Sequence, residues 1–177
     1  MNTKIIILLA LIAQNVFAAG EHKHHKHHHA AHVHGGGELS IAFDNLNGRI
    51  EFKTAAQSVL GFEYKPKKDK DLQKLKTVTE QFNNSIQQFV QFDQGAECII
   101  TPDVIGQIPE KGETEIVKHS DWQAHYNVVC KKSVVDTKIK IDFTVFKNLK
   151  DLDVTVLAGS LQKSVEYKGK PIEINLK

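Results

Sequence analysis

The chain has 177 residues, enough for one domain with a sizeable core, and 41% of them are hydrophobic. Its 23 basic and 21 acidic residues nearly cancel, giving a formal net charge of +2. The lysines are interspersed with acids, so there is no basic footprint of the kind that binds nucleic acid.

Lys4 is followed by the apolar run Ile5 to Ala13 and then by Val16-Phe17-Ala18-Ala19. This is the pattern of a cleavable export signal, predicted over residues 1–18 with the cut after Ala18. The apolar run is shorter than the ~20 residues of a membrane span, and no later stretch approaches that length, so no span is expected in the mature chain.

Residues 19–37 are read as a flexible arm that ends in the hinge Gly35-Gly36-Gly37. Eight of the ten histidines lie in it: His22, His24, His25, His27, His28, His29, His32 and His34. Lys23 and Lys26 interrupt the run, which argues against a purification tag. Neutral imidazole is the commonest metal ligand, and a short His-rich tract is the compositional signature of metal binding. Zinc, copper(II) and nickel all accept imidazole nitrogen, and a zinc site needs about four ligands. The tract has little to bury, so its ligands are not preorganised and ordering them costs conformational entropy. A buffer or scavenger of modest affinity is expected, not a catalytic centre. With a reference pKa of ~6.5, such imidazoles exchange metal for protons just below neutrality. The same titration would also suit a pH-responsive interaction arm.

The remaining residues, 38–177, read as one α+β domain, a largely antiparallel sheet with one main amphipathic helix. Leu39, Ile41 and Phe43 alternate with polar residues, Asn45 to Gly48 is turn chemistry, and Ile50 and Phe52 resume the alternation. The domain thus opens with a hairpin. A short helix or an irregular segment follows over 54–60. Apolar residues recur at helical spacing from Leu72 to Val90, predicting one helix over 69–92 with Gly95 just past its end. Residues 98–100 read as a short strand and 103–112 as a loop. A long alternation over 114–131 follows. Strands are then predicted around 139–145 and 152–158, with a terminal hairpin turning at Lys168-Gly169.

Within the long alternation Trp122, Ala124, Tyr126, Val128 and Cys130 share one face, while His119, Asp121 and His125 share the other. Asp121 is placed to share a metal with His119 or to orient it, and His125 lies further along. His34 has the parity of Glu38 and Ser40, so if the first strand lay beside this one His34 would approach His119. A second metal site is therefore drawn from His34, His119, Asp121 and His125. Cys98 and Cys130 form an even pair, most simply one disulfide in an oxidising compartment, with a thiolate metal site as the alternative. No GxSxG, HExxH or phosphate-binding loop is present, and no serine is singled out as a nucleophile, so no enzyme is expected.

His32-Val33-His34-Gly35, Glu38-Leu39, Gly61-Phe62-Glu63, Cys98, His119-Ser120-Asp121, Tyr126, Cys130 and Phe146 stand in an order that resembles the ZrgA family of periplasmic zinc-uptake accessory proteins. The resemblance spans essentially the whole mature chain. It implies an exported zinc-binding protein that assists an ABC-type zinc importer or its binding protein. It also implies that Cys98 and Cys130 occupy the family's cysteine positions, and that His34, Glu63 and His119 match recurrent polar ones. Tyr64 stands where the family often has histidine. The principal alternative is a copper or nickel buffer. Cleavage after Ala19 would expose Gly20-Glu21-His22, whose amine, amides and imidazole suit square-planar copper(II) or nickel(II).

Overall fold

The computed structural model describes residues 35–177. The signal-like segment and the arm histidines His22, His24, His25, His27, His28, His29, His32 and His34 lie outside the described residues.

The opening hairpin forms as its alternation predicts. Strand β1 (Gly37–Asp44) and strand β2 (Asn47–Ala55) pair antiparallel from Gly37 opposite Thr54 to Asp44 opposite Asn47. The two-residue loop between them is tight enough to need a left-handed residue, and Asn45 supplies it at φ 54°. Helix α1 (Ala56–Leu60) follows and stops at Gly61, whose φ of 86° only glycine adopts without strain.

Helix α2 (Asp69–Asn84) starts after Pro66 and carries Asp69 and Asp71 in its first turn, where carboxylates favour the helix dipole. It is shorter than its apolar spacing predicts. Asn83, Asn84 and Ser85 are weak helix formers, and Ser85 leaves helical geometry at φ −136°. A single turn, α3 (Ile86–Phe89), passes directly into strand β3 (Val90–Phe92). Phe89 and Val90 therefore belong to the core through different elements.

Strand β4 (Cys98–Pro109) runs through the segment expected to be a loop. It is an edge strand, paired only with strand β5 (Ser120–Cys130), and a bulge between Pro102 and Val104 absorbs the irregularity. Proline and glycine are tolerated at such an edge because one side of the strand makes no ladder. Strand β6 (Lys138–Ile141) is shorter than predicted, and strand β7 (Leu152–Ala158) lies where expected. Strand β8 (Leu161–Tyr167) and strand β9 (Ile172–Asn175) do not form the predicted terminal hairpin. β8 pairs with β7, whereas β9 crosses to β6.

The described residues thus form a six-stranded sheet in the order β4-β5-β2-β1-β7-β8 and a three-stranded sheet in the order β3-β6-β9. All pairings are antiparallel except β1 with β7. One face of the large sheet is apolar, with Leu39, Ile41, Ile50, Phe52, Trp122, Tyr126, Val154 and Val156 buried against Phe82 of α2, Phe89 of α3 and Ile139 and Ile141 of β6. Phe82 lies at the centre of an aromatic cluster with Phe52, Phe89, Trp122 and Phe146. The hydroxyl of Tyr126 donates to the Phe82 carbonyl at 2.9 Å, fixing the helix over the sheet. Among the described residues no helix is long and apolar enough to cross a membrane.

Candidate metal centre

One end of the large sheet collects the polar groups of interest. Gly61 ends α1 and turns the chain so that Phe62 packs into the core and stacks on Tyr64. Glu63, between them, is only 8% exposed. His119 immediately precedes β5, and its side chain is 60% exposed. Their contact joins residues 56 positions apart: His119 Nδ1 lies 2.7 Å from Glu63 Oε2.

A carboxylate only accepts, so the proton of this bond resides on Nδ1, and in the neutral ring the lone pair is then on Nε2. This is the arrangement by which a carboxylate orients a metal-ligating imidazole. The ring is largely exposed, while the carboxylate that holds it is buried.

Of the other residues drawn into this site, His34 lies outside the described residues, and Asp121 and His125 are held by β5. Asp121 is 1% exposed and its Oδ2 lies 2.8 Å from Lys53 Nζ. Lys53 of β2 is thus an ion-pair partner of Asp121, and the carboxylate hydrogen-bonded to His119 is that of Glu63. His125 stands farther along β5, between Glu51 of β2 and Val104 of β4 in the register. It is four positions along the strand from Asp121, about 13 Å. Among the described residues no group of three or more histidine, cysteine, aspartate or glutamate side chains is placed to hold a metal ion. Cys98 and Cys130 face each other in the β4–β5 register and are joined by a disulfide, which removes the thiolate alternative.

The arm joins the domain at the same end of the sheet. Gly37 is opposite Thr54, and the adjacent Ala55 is opposite Asp121. Because β2 lies between β1 and β5, the first strand does not lie directly beside His119. Two inter-strand spacings, about 10 Å, separate the start of β1 from the start of β5. The glycines before β1 are pinned here. The Gly35 carbonyl accepts from the Lys150 and Asp151 amides, and the Gly36 carbonyl accepts from Thr54 Oγ1 at 2.6 Å. A Cβ on Gly37 would lie 2.8 Å from the Lys53 carbonyl, so close packing requires glycine at that position.

Residues 31–176 match the model of the ZrgA family of zinc uptake proteins. The chain belongs to the ZrgA family. No curated protein matches the chain. In this ZrgA-family protein the matched residues include His32, His34, Glu63 and His119 together with both cysteines, whereas His22 to His29 precede the match. The histidine-based reading of the sequence names His119 as a ligand but pairs it with Asp121, its neighbour in the chain. Glu63 is legible only as a recurrent family position, because nothing local to Gly61-Phe62-Glu63-Tyr64 signals a partner 56 residues away.

Proposed function

We propose that this protein captures zinc in the periplasm and assists its uptake through an ABC-type importer, without catalysis. The observation that carries the proposal is the Glu63–His119 pair at the end of the sheet where Gly35 anchors the arm. Membership of a zinc-uptake family favours zinc over copper or nickel as the cargo. The signal-like segment and the Cys98–Cys130 disulfide support an oxidising, extracytoplasmic setting.

In this reading the eight arm histidines raise the local concentration of bound zinc, and the domain offers a more ordered position. His119 contributes Nε2, Glu63 orients it or turns one oxygen to the ion, and His32 and His34 supply the remaining imidazoles. Zinc passes from the arm to this position and onward to the importer or its binding protein. The solvated arm imidazoles release zinc as pH falls through about 6.5, whereas a site with its ligand geometry fixed by the fold retains zinc to lower pH.

Zinc titration of the protein starting at Ala19, of a form starting at Ala31 and of the His119→Ala variant tests the proposal. The Ala31 form should lose the weaker ions and keep one tight site, and His119→Ala should lose the tight one. A single class of sites, abolished in the Ala31 form and indifferent to His119→Ala, would overturn the domain site.

A further inference from the structure

The Glu63–His119 pair is assembled from segments far apart in sequence, and the side chains of Gln107 and Ser120 bridge them. Gln107 of β4 lies opposite Trp122 of β5. Its Nε2 is 3.0 Å from the Glu63 carbonyl, 3.0 Å from the Tyr64 carbonyl and 2.8 Å from Ser120 Oγ. Ser120 Oγ in turn donates to the Glu63 carbonyl. The hydroxyl proton is thereby used, so Ser120 accepts from Gln107. The segment carrying Glu63, the edge strand β4 and the start of β5 beside His119 are thus tied into one network.

The amide can take only one orientation. Two of its three neighbours are carbonyls, which only accept, so the NH2 group must face them. The other end, Oε1, is buried and has no hydrogen-bond partner among the described residues. Burying an amide oxygen in this way is unfavourable, and sheet pairing alone would be served by an apolar side chain. The contacts made by Nε2 all converge on the backbone of Glu63 and Tyr64 and on the neighbour of His119.

We propose that Gln107, acting with Ser120, is the positioning residue of the zinc site. It fixes the backbone of Glu63 against the start of β5, so that the carboxylate meets His119 Nδ1 and directs Nε2 outward. The inference rests on the reading of Glu63–His119 as the domain's contribution to zinc binding. Outer groups that orient a ligating histidine change metal affinity by about 10–100-fold when removed.

The test uses the protein from Ala19 and four forms: wild type, His119→Ala, Gln107→Met and Ser120→Ala. Zinc affinity is measured by competition with a chelator. Long-range proton–nitrogen NMR of the metal-free protein reads which ring nitrogen of His119 carries the proton. Gln107→Met should weaken the His119-dependent site about tenfold or more, and the His119 nitrogens should lose their Nδ1–H signature. Ser120→Ala should move both readouts in the same direction by less, and it decides the matter should Gln107→Met fail to fold. A merely structural role would lower the melting temperature and leave the His119 nitrogens unchanged. If His119→Ala weakens zinc binding while Gln107→Met and Ser120→Ala bind as wild type, the inference alone fails. If His119→Ala leaves zinc affinity unchanged, the functional reading fails and the inference with it.

Discussion

Loss of the Cys98–Cys130 disulfide should destabilise the domain and leave its zinc site intact. The two cysteines are 32 positions apart, and the loop they close spans β4 and β5 from the first residue of one to the last of the other. Loop-closure entropy for that length amounts to about 3.7 kcal/mol at 25 °C. The bond lies at the end of β5 remote from His119, roughly 35 Å along the strand. Urea unfolding of the oxidised protein, the reduced protein and the Cys98→Ala/Cys130→Ala variant gives the stability directly. The oxidised form should exceed the reduced one by about 3–4 kcal/mol. The double variant should lose slightly more, because Cys130 is buried and its sulfur also packs in the core. Zinc affinity of the folded reduced protein should equal that of the oxidised one. A stability difference below about 1 kcal/mol would refute the loop-entropy argument, and a zinc site lost on reduction would refute the separation of the two ends.

Two further outcomes follow from the polar contacts. Lys53→Met should cost about 1–2 kcal/mol, less than the 3–5 kcal/mol typical when a fully buried pair is broken, because Lys53 is 40% exposed while Asp121 is 1% exposed; thermal or urea unfolding measures it, and a neutral result would mean that the other contacts of Asp121 suffice. The Asp142 carboxyl is held below its ordinary value of 3.8, chiefly by the Thr144 hydroxyl at 2.7 Å and also by the Thr144 amide and the charge of Lys140, against partial desolvation. A carboxyl depressed in the folded state stabilises above its unfolded value and loses that contribution as pH falls through the folded one. The stability advantage of wild type over Asp142→Asn should therefore be complete at pH 6 and shrink below about pH 4, which unfolding curves at several pH values check; an advantage independent of pH would contradict it.

Legibility in the sequence followed the range of the interaction. The hairpin of β1 and β2 is encoded locally, by strict alternation and by Asn45 at the turn, and it forms as read. The face of β5 bearing Trp122, Tyr126 and Cys130 is equally local. The helix boundary was not legible, because Ile86, Phe89 and Val90 continue the apolar spacing of α2, while the chain breaks at Ser85, turns once through α3 and gives Val90 to the pairing with β6. β4 was hidden by Pro102, Gly106 and Pro109, which an edge strand tolerates and a central strand does not. β8 and β9 satisfy hairpin spacing, yet each finds a better partner in a different sheet. At the site, His119 carries its own chemical signal. Glu63, Gln107 and Ser120 acquire their roles only when three distant segments meet, and no local pattern records that meeting.

The most direct measurement of the central claim is anomalous diffraction at the zinc edge from crystals of the zinc-loaded protein that retain the arm. The account predicts a zinc peak about 2.0–2.1 Å from His119 Nε2, with Glu63 on Nδ1 or turned to the ion and with arm imidazoles completing the coordination. Zinc held solely by residues before Gly35, with His119 Nε2 facing solvent, would contradict it.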